Sequence, residues 1–181
     1  MRHHEGMTEQ SLAPGESSDY ADESSAERVA IMVYAAITLL GVIAASSLKQ
    51  FATDEPELIA AAVGASLAVA LAHGWAAIMA HRLVHRSMMS RKEILAQVAI
   101  AGNLLAVTAI AVGTIAGGQV IGLEFPETVL LVQSVLIALL FLIGFFGSRW
   151  AGASWTRALG WGVLDAGIGV GILLVKILVG G

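Results

Sequence analysis

Val129-Leu-Leu-Val-Gln-Ser-Val-Leu-Ile-Ala-Leu-Leu-Phe-Leu-Ile-Gly-Phe-Phe-Gly147 contains no charged residue, and only Gln133 and Ser134 interrupt its apolar character. As a helix rising about 1.5 Å per residue, such a run is close to the ~30 Å of hydrocarbon in a bilayer. Four further stretches match it in kind, at 29–48, 58–80, 94–118 and 158–179. Inside lipid, backbone N–H and C=O groups must be satisfied within the segment, so runs of this length predict helices. The fold class expected is therefore all-α: a polytopic helical membrane protein with five transmembrane helices.

The composition of the 181-residue chain agrees: 57% is hydrophobic, 13% is charged, and mean hydropathy is +0.80. Soluble domains run at about 45–50% apolar and about 25% charged. Cysteine is absent, which excludes disulfides, thiolate metal sites, iron–sulfur clusters and cysteine nucleophiles. Neither a Walker A loop, HExxH, GxSxG nor a kinase signature is present, so no enzymatic activity and no cofactor are expected. The charge pattern offers no nucleic-acid surface.

Seven of the 14 acidic residues lie before Arg28, in a polar stretch without apolar periodicity. Residues 1–27 are accordingly expected to be a disordered acidic tail ahead of a transmembrane domain at 28–181. The acidic flank and long apolar run are unlike a cleaved signal peptide; the first span is expected to act as an anchor. Asp54, or Thr53, is placed to cap the second span, with Pro56 and Glu57 in its first turn.

With the N-terminus inside, eight basic residues (Arg2, Arg28, Arg82, Arg86, Arg91, Lys92, Arg149 and Arg157) fall on the cytoplasmic side, against Lys49 and Lys176 outside. Positive juxtamembrane residues stay cytoplasmic, which predicts a cytoplasmic N-terminus and an exterior C-terminus in a bacterial inner membrane. Trp75, Trp150, Trp155 and Trp161 fall towards that same interface. Trp150, Trp155 and Trp161, together with Arg82, Arg86, Arg91 and Lys92, are expected interface anchors, and the 81–93 loop is expected to lie on anionic headgroups.

Ionisable groups within hydrocarbon are functional candidates by default. His73, Asn103 and Asp165 sit at comparable depths, about 12, 14 and 10 Å from the inner boundary at 1.5 Å per residue. Each lies on a helical stripe of small residues: Ser66, Ala70 and Ala77 with His73; Ala96, Ala99, Ala106 and Gly113 with Asn103, interrupted by Ile110; Gly162 and Gly169 with Asp165. Small residues permit close helix approach, so these stripes are expected to face the bundle interior. One reading makes His73, Asn103 and Asp165 a polar layer that moves or senses a proton or small cation. The other makes them interhelical ties in a structural or accessory protein, each worth ~0.6 to 2 kcal/mol. Lys176, near a helix end, is expected to snorkel to the outer interface.

His81 and His85 share a helical face, with Met88 and Met89 following, and offer two imidazoles and two thioethers to a metal. Arg82 and Arg86 interleave with them and favour an interfacial anchor instead. Three GxxxG spacings (Gly113 to Gly117, Gly118 to Gly122, Gly167 to Gly171) suit either packing within the bundle or homo-oligomer contact.

The five spans, His-Gly-Trp-Ala-Ala-Ile-Met-Ala-His at 73–81 and Gly-Ile-Leu-Leu-Val-Lys-Ile-Leu-Val at 171–179 resemble a group of small uncharacterised bacterial integral membrane proteins over about residues 28–181. Span number and the glycine-rich last span are loosely similar to the vacuolar iron transporter family, which moves ferrous iron or manganese against protons. That resemblance implies a helical bundle, with Met79 as a counterpart of a metal-facing methionine. The acidic residue that family carries in its first span is absent from 29–48, and its glutamate-rich cytoplasmic domain is replaced by a short basic loop containing only Glu93.

Overall fold

The computed structural model describes residues 16–48 and 51–180, with side chains described from 28 to 47 and from 51 to 178. It contains five helices: α1 Glu16–Leu48, α2 Glu55–His85, α3 Arg91–Val120, α4 Phe125–Trp150 and α5 Trp155–Gly180. Each is long and apolar enough to cross a membrane, and the chain is an all-α, multi-pass membrane protein. The expectations concerning residues 1–15 and Lys49 lie outside the described residues.

The helices outrun the apolar stretches, because extending a formed helix costs far less than nucleating one. The largest departure is in α1. Its backbone is helical from Glu16, which corrects the expectation of disorder for 16–27.

Elsewhere, capping sets the boundaries. The Asp54 side chain accepts the Glu57 N–H at 2.9 Å, while the Glu57 carboxylate accepts the Thr53 N–H at 2.7 Å. Asp54 is thus the cap, with Thr53 tied in by Glu57. The Ser90–Glu93 pair forms a reciprocal box at the start of α3, with bonds of 2.6 and 3.4 Å. At α4, Glu127 accepts the Glu124 N–H at 3.1 Å. Gly122 and Gly152, at φ +80° and +79°, follow α3 and α4 in the left-handed conformation that glycine adopts without strain.

Short connections make successive helices antiparallel. α1 packs against all four others, and α5 packs chiefly on α4 with a smaller contact on α1. The core runs along α1 through Ala35, Ala36, Leu39, Leu40 and Ile43, meeting Leu58 and Ala62 of α2, Leu104, Val107 and Ile115 of α3, and Leu136 and Leu140 of α4. Alanines on α1 let neighbouring backbones come close, which suits it to the centre.

Glycines seat α5 on α4, but not those in the GxxxG spacings. A Cβ at Gly162 would lie 2.9 Å from the Phe141 carbonyl oxygen, and one at Gly169 would lie 3.1 Å from Leu140. Gly113, Gly117, Gly122, Gly167 and Gly171 have nothing within 4 Å of the corresponding position, whereas a Cβ at Gly118 would lie 2.9 Å from Thr128 Oγ1 of α4. The two α5 contact glycines are seven residues apart, the spacing of a left-handed helix pair.

Candidate functional site

Antiparallel connectivity gathers Arg28, Arg82, Arg86, Arg91, Lys92, Arg149 and Arg157 at one end of the bundle, and Asp54, Glu55, Glu57, Glu124 and Glu127 at the other. These are called the basic and acidic ends below.

Asp165 is half-buried on α5. Its carboxyl rests on Gly144 of α4, where a Cβ would collide with Oδ2, come within 3.0 Å of Cγ and lie 3.1 Å from the Trp161 carbonyl. The missing side chain at Gly144 is therefore the seat of the carboxyl. No cation faces Asp165 in an ion pair among the described residues.

His73 occupies a different place. It lines a crevice with Ile31 and Tyr34 of α1, Ala70 of α2, and Ile100, Ala101 and Leu104 of α3; the cavity, about 20 Å³, has room for roughly one water. The buried residues of α2 are Leu58, Ala62 and Ser66, all in its half nearer the acidic end. Around His73 the helix is less enclosed, so His73 itself is exposed in the protomer.

The expected layer of His73, Asn103 and Asp165 is therefore not assembled within one protomer. His73 and Asn103 lie on the paired helices α2 and α3, whereas α5 has no substantial interface with either. Axial spacing gives depth; it does not give the order of helices around the bundle. The inward-facing expectation also needs correction for the stripe on α3, where Ala96, Ala99, Ala106 and Gly113 are exposed and Asn103 is half-buried at their edge. Gly162 and Gly169 are buried as expected, and Ser66 is buried between α2 and α3.

The polar ties are elsewhere. Thr108 donates to Ser66 at 2.7 Å, and Ser66 donates onward to the Ala62 carbonyl at 2.8 Å, joining α2 to α3 in a buried setting. Lys176 donates to Ser47 at 2.9 Å, joining the neighbouring ends of α5 and α1. Nothing singled out Thr108 or Ser47 in the sequence, where hydroxyls in apolar helices commonly bond to their own backbone. Gln133, 5% exposed, leaves Nε2 without a partner. A double-mutant cycle on Ser66→Ala and Thr108→Val should give a coupling of about 0.6 kcal/mol, up to about 2, in unfolding titrations; additive effects would show that the bond contributes nothing.

At the basic end, the His81 and His85 rings tilt against each other with centroids 4.7 Å apart. His81 Nδ1 lies 3.5 Å from the Glu93 carboxylate, and Nε2 lies 3.5 Å from Ser87 Oγ. Both ring nitrogens of His81 thus face protein groups, and no set of three potential ligands is placed to hold a metal among the described residues. Met88 is engaged as well, accepting from Arg82 at 3.2 Å.

Among the anchors, Arg149 stacks 4.9 Å above the Trp155 ring and donates to the Ala153 carbonyl, bracing the α4–α5 turn. Trp150, Trp155 and Trp161 are all exposed, as suits indoles at a bilayer boundary. No family model, curated protein or solved structure matches this chain.

Proposed function

We propose that this protein moves or senses protons across a bacterial inner membrane, with Asp165 as the group that takes up and releases the proton. The observation that carries this reading is the seating of the Asp165 carboxyl on Gly144, within a transmembrane helix and without a cationic partner among the described residues. Such a group is costly in hydrocarbon and persists where protonation is used. His73, lining a crevice with room for water, is a second proton-binding group, separate from Asp165. The proposed orientation places the basic end in the cytoplasm. The exposed small-residue face of α3 would serve homo-oligomer contact, and the basic 81–93 loop would meet anionic headgroups.

The test is proton flux into liposomes containing the full chain, compared with Asp165→Asn and His73→Ala variants shown to be folded. Asp165→Asn keeps the shape and hydrogen-bonding capacity but not the titration, and is expected to lower flux at least about tenfold, corresponding to ~1.4 kcal/mol in the barrier. An accessory, non-transporting role is the second reading, favoured by the Ser66–Thr108 and Lys176–Ser47 ties between helices. Wild-type liposomes no leakier than empty ones would rule out proton movement and favour the accessory reading.

A further inference from the structure

A groove of about 320 Å³ lies between the first membrane turns of α1 and the last turns of α4, with no polar atom facing into it. Val29 and Met32 form one wall, and Leu142, Ile143, Phe146 and Trp150 the other. At Gly147 the two helices come close: Val29 Cγ1 lies 3.1 Å from where a Cβ would stand. The volume falls in the range of small-ligand sites. We propose that this groove binds one acyl chain of an anionic phospholipid, whose headgroup is held by Arg28.

The occupant follows from the surroundings. An aqueous solute would find no hydrogen-bonding partner in an apolar groove, whereas an acyl chain loses nothing by entering it. The groove opens at the end that gathers seven Arg and Lys side chains; of the acidic residues there, Glu93 begins α3, and Glu16, Asp19, Asp22, Glu23 and Glu27 precede Arg28 in the sequence. Arg28, the cation at the mouth, favours an anionic headgroup over a zwitterionic one. Arg28 is exposed and immediately precedes Val29, at the mouth. Arg149 is already committed to Trp155 and the Ala153 carbonyl. Trp150, 81% exposed, places an indole at the height of the headgroups.

The chain's own N-terminal segment is a poorer occupant. α1 continues unbroken from Arg28 back to Glu16, about 18 Å along the axis. Residues 1–15 would have to double back over that distance, and they are mostly polar.

The experiment is native mass spectrometry of the delipidated full chain titrated with equal amounts of phosphatidylglycerol and phosphatidylcholine. We expect one phosphatidylglycerol retained per protomer, with about fivefold preference, the effect of a single basic residue at a membrane surface. Arg28→Gln should bring the two lipids to parity, and Leu142→Trp, which fills the groove, should remove retention of both. Equal retention of the two lipids by the wild type, or undiminished retention in Leu142→Trp, would overturn the proposal. So would increased retention after deletion of residues 1–15, which would identify the tail as the occupant, or a dimer mass in place of lipid.

Should Leu142→Trp not fold, fluorescence quenching reads the same site in a chain whose other tryptophans (Trp75, Trp155 and Trp161) are replaced by Phe. Phosphatidylglycerol brominated along its chain should quench Trp150 more strongly than brominated phosphatidylcholine at equal mole fraction; equal quenching counts against the groove.

Discussion

Gly162→Val should destabilise the bundle by about 2 kcal/mol or more, the upper range for overpacking a tight contact. The added Cβ meets the Phe141 backbone carbonyl at 2.9 Å and the Phe141 ring at 3.0 Å. A ring can move, but a carbonyl within a helix cannot shift without breaking the ladder or moving α4 away. Since α5 rests chiefly on α4, separating that pair leaves it with only the smaller contact on α1. The matching control is Gly167→Val, where nothing stands within 4 Å; it should stay within about 0.5 kcal/mol of wild type. Mixed-micelle unfolding followed by circular dichroism measures both, and equal midpoints for the two variants would refute the glycine-seated interface.

The second large effect is one of topology. A periplasm-active alkaline phosphatase fused after Gly181 should be fully active, and one fused within the 81–93 loop should be inactive, if the clustered Arg and Lys residues keep the basic end in the cytoplasm as proposed. Replacing Arg82, Arg86, Arg91 and Lys92 together by Ala removes four of the seven described basic residues at that end. The expected result is a mixed or inverted population, with phosphatase activity appearing at the loop. Activity at the loop in the wild type would reverse the orientation and place the acidic end inside.

Some features are plain in the sequence. Val129 to Gly147 has no reasonable home outside a membrane, and four similar runs with short polar connections dictate alternating helices. Turn chemistry was legible too: Asp54 with Pro56 and Glu57 reads as a helix start, and the Asp54 side chain caps it. The α1 boundary was not legible, since Glu16 to Glu27 is polar and helical continuation depends on an adjacent helix already formed.

The site divided along the same line. Depth along a helix is a one-dimensional quantity, and the spacing of His73, Asn103 and Asp165 supplied it. Meeting requires azimuth and helix order, and the tertiary structure put α5 beside α4, away from α2 and α3. In water, a helix hides its apolar face, so periodicity points to the core. In lipid, both faces are apolar, and only fine packing distinguishes them. This is why the Ala99, Ala106 and Gly113 stripe, expected inward, lies outward, and why the sequence does not mark Gly144 as the seat of Asp165. The sequence by itself determined a five-helix membrane protein with its Arg and Lys residues clustered at one end. Which polar groups meet was decided by the tertiary structure, because van der Waals fit between particular helix faces leaves no periodic mark on the chain.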